Sequence, residues 1–198
     1  MQLLSQLRIH TSNAHQRLDQ QSILTPVMSG DVKPLDIYKG LVALNHAHHV
    51  IHSALKNLSL EKQSIWEIFD GRTHLVRDAA YWREQVQKFQ TIETADPIKI
   101  NAIDLHQLSH YMGVAYVMEG SALGGLKLAR HVSDALGAKH QAGLSFWLAA
   151  DADRTRWPRF LRVLESALGM QPEHFQSTID AANACFGIFE KALNPASS

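Results

Sequence analysis

The sequence predicts an all-α protein, a single-domain bundle of seven to nine helices. Apolar residues recur at spacings of three and four along nearly the whole chain, the repeat of one helical face. No stretch shows the alternation of a half-buried strand. Pro34, Gly137, Gly169 and Pro172 stand at the ends of the periodic segments, where helices start and stop. At 198 residues the chain is long enough to bury roughly 70% of the surface that it exposes when unfolded. One domain over residues 1–193, with a frayed tail at 194–198, is therefore the expectation.

The elements follow in order. Residues 3–19 predict a first helix with Leu4, Leu7, Thr11, Ala14, His15 and Leu18 as its inner stripe. Residues 22–30 allow a short helix with Pro26 in its first turn. Pro34 opens a long helix to about Leu55, with Tyr38, Leu41, Val42, Asn45, His48 or His49, His52 and Leu55 facing inward. Ser59 caps a helix ending near Phe69, and Asp70-Gly71 makes a turn. Residues 73–89 are helical, and 91–101 form a loop around Pro97. Residues 103–136 predict a long helix interrupted by glycines and closed by Gly137. The pattern over 139–150 is ambiguous. Residues 153–168 form a helix ending at Gly169, and the last helix runs from Gln171-Pro172 to about Leu193.

Composition narrows the function. Nineteen basic residues balance nineteen acidic ones, which argues against a nucleic-acid partner. The lone Cys185 excludes an intrachain disulfide and reads as a small buried residue of the last helix. No apolar run reaches the ~18 residues of a membrane span, and the N-terminus lacks the pattern of a signal peptide. A cytoplasmic protein with no membrane partner is expected.

Two segments stand out. Leu7-Arg8-Ile9-His10-Thr11-Ser12-Asn13-Ala14-His15-Gln16-Arg17-Leu18-Asp19 places His15 on an apolar helical face, with Asp19 one turn further on. A carboxylate at that spacing reaches the ring, fixes its tautomer and raises its basicity as a ligand. Spacing puts Arg8 and Thr11 on the same face; from spacing alone Arg8 reads more readily as a solvated surface arginine than as a partner for a ligand's anionic edge. Tyr116-Val117-Met118-Glu119-Gly120-Ser121-Ala122-Leu123-Gly124-Gly125 puts three glycines into six residues of a helix. Each costs ~1 kcal/mol relative to alanine. Such glycines permit a kink or a close approach, either to a ligand or to another helix. Glu119 reads as a capping or surface residue.

Together the two segments resemble the haem oxygenase family, and specifically its bacterial, biliverdin-producing branch of the bacteriophytochrome-associated type. The similarity spans roughly residues 3–193. It implies a helical bundle holding haem between the first helix and a glycine-kinked distal helix. His15 would be the axial iron ligand, with Asp19 orienting its ring. Gly120, Ser121 and Gly124 would form the catalytic distal wall, and Gly125, Thr11 and Tyr116 would contact the macrocycle. Ala14 and Leu18 would complete the proximal wall. Arg8, Arg159 and Arg162 would pair with the propionates, an arginine fork suiting carboxylates; Lys127, Arg130 and His131 are weaker candidates. Ser121 stands where mammalian-type members carry an aspartate, which leaves proton delivery to ordered water.

The resemblance further implies that haem is both cofactor and substrate, converted with O2 and donated electrons to biliverdin (the IXα isomer), CO and ferrous iron. The chain has neither a dinucleotide fingerprint nor a cysteine cluster. The electrons would therefore come from a ferredoxin, a flavodoxin or a flavin reductase. A non-catalytic haem carrier or sensor on the same fold is the alternative. A di-iron oxidase lacks the paired Glu-x-x-His motifs that it needs, and Cys185 is poorly placed as a nucleophile. The spaced pairs His48/His52 and His106/His110 lack an accompanying carboxylate set.

Overall fold

A computed structural model describes residues 2–91, 99–101, 103, 105–149, 153 and 155–194. Residues 195–198 of the expected 194–198 tail and most of the 91–101 loop lie outside the described residues. Among those described, every regular element is helical: α1 (Gln2–Gln21), α2 (Thr25–Met28), α3 (Pro34–Leu55), α4 (Leu60–Ser64), α5 (Arg72–Gln87), α6 (Leu108–Leu136), α7 (Ser145–Leu148), α8 (Arg156–Leu168) and α9 (Phe175–Leu193). A 3-10 turn over Ala138–Gly143 precedes α7, and another over Pro172–His174 precedes α9.

At the centre is α9, which packs on α1, α3 and α6. Phe175, Ile179, Ala182, Cys185, Phe186 and Phe189 are among its buried residues. The approach of α6 to α9 is close at Gly113, where an added Cβ would lie 2.2 Å from the Thr178 carbonyl oxygen. Only a residue without a side chain lets the two backbones meet there. The N-terminus of α9 is tied back by Thr178, whose hydroxyl donates to the His174 carbonyl at 2.8 Å. The far end of α9 is held to the α1–α2 junction by the Ile23 amide donating to the Leu193 carbonyl at 3.0 Å.

The structure corrects several boundaries. No break interrupts α6 at the glycines, because each keeps helical hydrogen bonding; the helix begins at Leu108, after an extended Gln107 (φ −123°, ψ 160°). Helix α4 ends at Ser64 rather than near Phe69, since Trp66 and Ile68 are buried from an irregular segment instead. The buried stripe of α3 is Ile37, Leu41, Leu44, His48, Ile51 and Leu55. Val42 faces solvent and Tyr38 and Asn45 are half-buried. With α5 on one side and α9 on another, α3 is apolar over a wide arc, and two neighbouring stripes satisfied the same periodicity.

The Gly113 contact sets a stability test. Gly113→Ala should destabilise by about 1–3 kcal/mol through overpacking. At Gly187 of α9 an added Cβ meets nothing within 4 Å, so Gly187→Ala should gain up to about 1 kcal/mol. Urea midpoints at unchanged slope measure both. Equal effects at the two sites would show that the crossing does not depend on Gly113.

Candidate active site

A cleft of about 380 Å³ opens between α1 and α6, closed behind by α3, α7 and α9. Its surface is mainly apolar, from Leu18, Leu44, Leu128, Trp147, Trp157 and Phe189. A large apolar pocket with a few convergent polar groups is the usual form of a small-molecule site.

The α1 wall carries His15. The inner residues Leu3, Leu4, Leu7, Thr11 and Ala14 are buried against the bundle, so the next turn of that face projects past the core into the cleft. The His15 side chain is 66% exposed, and its Nδ1 lies 3.2 Å from the Asp19 carboxylate. The ring sits edge-on to Phe186 at 6.2 Å. With Nδ1–H held by Asp19, the Nε2 lone pair is left available for a ligand. Thr11 is buried and donates its hydroxyl to the Leu7 carbonyl at 2.7 Å.

On the α6 wall, Gly120, Ser121, Gly124 and Gly125 all line the cleft, beside Tyr116. The three glycines differ in what they face. A Cβ on Gly124 meets nothing within 4 Å, whereas on Gly120 it would touch Trp157 at 3.6 Å, and on Gly125 it would press Trp147 at 3.2 Å. Gly124 thus leaves open space, and Gly125 serves the contact between α6 and α7. Ser121 donates its hydroxyl to the Met118 carbonyl at 2.8 Å. Burial pushes the Tyr116 hydroxyl above its ordinary range, while neighbouring Thr11 and Arg8 oppose this. Its ring lies 5.7 Å from that of Trp157.

The cationic candidates are not gathered in the cleft. Arg8 and Arg162 are exposed and do not line it. Arg159 is held by Asp153 at 3.1 Å and lies over Trp66 at 5.7 Å. Lys127 and Arg130 face solvent, and His131 bonds the Val27 carbonyl through Nδ1 at 2.9 Å, joining α6 to α2.

Three features escaped the sequence reading. Glu119 is neither a cap nor a surface group. It is buried, takes two hydrogen bonds from Arg156 at 2.7 Å each, and accepts a third from Trp66 Nε1 at 2.9 Å. This pair fastens α8 to α6 directly behind Gly120. Asp78, fully buried on α5, accepts from Ser145 Oγ at 2.5 Å and the Phe146 amide at 2.7 Å. It fixes α7, which delivers Phe146 and Trp147 to the cleft, and burial raises its pKa. Last, His48 of α3 lines the cleft with 3% exposure, its ring edge-on to Phe146 at 5.2 Å and Phe189 at 5.9 Å. Neither ring nitrogen of His48 has a protein partner. The i, i+4 spacing to His52 was visible in sequence, but its address was not.

Fold and site define the class: an all-helical protein built to hold a flat, largely apolar ligand between a histidine-bearing helix and a glycine-bearing helix. The family model described as heme oxygenase matches residues 1–194, and the chain belongs to the haem oxygenase family. Family membership brings haem as the substrate and haem-degrading oxidoreductase chemistry. No individual curated protein matches the chain by sequence. No helix among the described residues is long and apolar enough to cross a membrane, and no group of three His, Cys, Asp or Glu there is placed to hold a metal ion.

Burial of His48 has a measurable consequence. Burial, and to a lesser extent the neighbouring His52, lowers its pKa from 6.5 to about 3. In the unfolded chain the imidazole takes up a proton near 6.5, while in the folded chain it stays neutral far below that. Stability is therefore full above the unfolded value and is lost as pH falls through the window between the two. Between about pH 8 and pH 5 the loss attributable to His48 should be about 2 kcal/mol. Urea unfolding of the protein without ligand should show that loss in the wild type and a correspondingly shallower profile in His48→Leu.

Proposed function

We propose that this chain opens the haem ring to biliverdin, the IXα isomer, with release of CO and ferrous iron. The reading is carried by one observation: His15, braced by Asp19, shares a mainly apolar cleft with Gly120 and Gly124 of α6. The residues fit a haem. Gly124 leaves room for a flat surface to approach the helix backbone, and His15 offers a neutral imidazole rather than a thiolate. When bound, haem supplies the oxygen-activating iron and the carbon skeleton that is oxidised, at the expense of O2 and donated electrons.

The chain's own part is binding and orientation. His15 Nε2 would hold the iron, and Asp19 would fix the ring plane. Gly120, Ser121 and Gly124 would limit the space on the opposite side, so that oxidation is aimed at one edge of the macrocycle. Thr11 and Tyr116 would contact the ring edge. Arg8 on α1, with Arg159 and Arg162 on α8, would meet the propionates on the helices flanking the cleft, and Arg159 would exchange Asp153 for a propionate. Electrons would arrive from a ferredoxin, a flavodoxin or a flavin reductase in a cytoplasmic, bacterial setting.

A second reading is a haem carrier or sensor. It draws on Ser121, whose hydroxyl proton is committed to Met118 and supplies no acid.

One optical experiment separates them. One equivalent of hemin should give a Soret band that, with reductant in air, decays as a bilin absorption grows; the extracted isomer checks the regiochemistry. A band that persists would favour the carrier. His15→Ala should abolish turnover, and Asp19→Asn should weaken it by about 10–100-fold. Gly124→Leu should fold normally and lose haem affinity. Retention of full affinity there would remove Gly124 from the ligand wall.

A further inference from the structure

His48 is a problem for a purely structural account of the core. Leaving a buried polar group unpaired costs roughly 1–3 kcal/mol, and a leucine would fill the same apolar surroundings without that cost. The ring is nine-tenths or more buried, has no protein partner on either nitrogen, and lines the haem cleft. It also lines a smaller cavity of about 60 Å³ that shares Ser121, Gly125, Phe146 and Trp147 with the main cleft. His48 and Ser121 therefore border the same two spaces.

The other polar groups of the cleft are engaged elsewhere. Ser121 gives its proton to Met118, Thr11 gives its own to Leu7, and His15 Nδ1 is held by Asp19. His48 carries one N–H and one lone pair, and no protein group competes for either.

Behind His48, toward solvent, lies a titratable chain. The His52 ring is stacked at 6.0 Å, one turn along α3. The His52 Nε2 lies 3.8 Å from the Asp70 carboxylate, which is 48% exposed and bound to Arg72 at 2.5 Å. A cavity of about 170 Å³ beside His52 is lined also by Lys56, Gln63, Glu67 and Arg72. The charged and titratable groups acting on His48 are thus His52 and His49 of α3, Asp70, and Arg72 of α5; Phe146 of α7 and Phe189 of α9 face it with apolar rings.

Resting on the haem oxygenase reading, we propose that His48 is the proton-transfer residue of the Ser121 side of the cleft, working through water of the cleft that it borders and resupplied from the His52 side of α3. In each transfer the proton on one ring nitrogen passes to cleft water as the other nitrogen takes one from the His52 side. The ring remains neutral, and a ring flip restores the starting tautomer without returning the proton. The two rings stack at 6.0 Å between centroids with an interplanar angle of 27°. Ser121 contributes lone pairs that orient the same water.

The test uses the hemin-loaded full chain. The pH midpoint of the ferric complex's visible spectrum should move by about one unit in His48→Leu, the size of one lost hydrogen bond near the iron. His48→Gln keeps a donor and an acceptor in place and should restore the midpoint. Neither variant can relay protons, so reductant-driven ring opening by the haem-saturated protein should fall by about 100-fold or more in both. His52→Leu should slow solvent exchange of the His48 N–H by nitrogen-15 NMR. If His48→Leu fails to fold, His48→Gln and the exchange measurement still decide. An unmoved midpoint and rate in haem-loaded variants would overturn the proposal while sparing the haem oxygenase reading. A wild-type chain that forms no Soret band would overturn both.

Discussion

The crossing of α6 over α9 is the contact on which the cleft depends. At Gly113 the two backbones come so near that a methyl would strike the Thr178 carbonyl. That contact fixes the height of α6 on the central helix, and two turns later the same helix becomes the wall of the site. The wall is then secured from behind, at Glu119 by Arg156 and Trp66 and at Gly125 by Trp147. The helix runs unbroken through its glycines, and at Gly124 it faces open space.

Much of this was readable from the chain. Helical periodicity located α1, α3, α5, α8 and α9 within a few residues, because each carries a continuous apolar stripe, and the last four have Pro or Gly at or near an end. The His15–Asp19 pair was readable because i, i+4 spacing fixes which side chains meet on a helix. Glu119 was misjudged for a physical reason. Its neighbour Gly120 suggested the face, but the partner Arg156 comes from a helix 37 positions away, and pairing across such a distance leaves no local trace. Gly113 was overlooked in favour of the denser glycine cluster, although the single glycine makes the tighter contact. His48 lay within an ambiguous pair of stripes on α3, and only the packing of α5 and α9 decided between them. The arginines were assigned by resemblance, and the structure leaves them on the outer faces of α1 and α8.

Two buried polar systems border the site, and they are built in opposite ways. Glu119 is saturated: two bonds from a guanidinium and one from an indole satisfy a carboxylate in an apolar surrounding. Such a group is costly to disturb and holds a fixed geometry. Asp78 is satisfied similarly by Ser145 and Phe146. His48 is placed between them at comparable depth with nothing bonded to it. Among the described residues the buried side-chain polar atoms without a partner belong to Asn45, His48 and His52, about one turn apart on α3, so the exceptions are confined to one stripe of one helix.

The exceptions to good packing converge on one place. Gly120 and Gly124 each weaken α6 relative to alanine, the cleft forgoes the contacts that a filled core would make, and His48 is desolvated without a partner. A sequence selected for stability alone would replace them with leucine and alanine. What offsets these costs is a ligand: a species that binds only the folded chain adds stability in proportion to the logarithm of its concentration over its dissociation constant. A flat apolar ring held by His15 would bury the cleft's apolar lining and occupy the space beside Gly124. The sites where the sequence departs from helix-forming rules and the sites where the core is left unfilled are the same residues, because both make room for the same occupant.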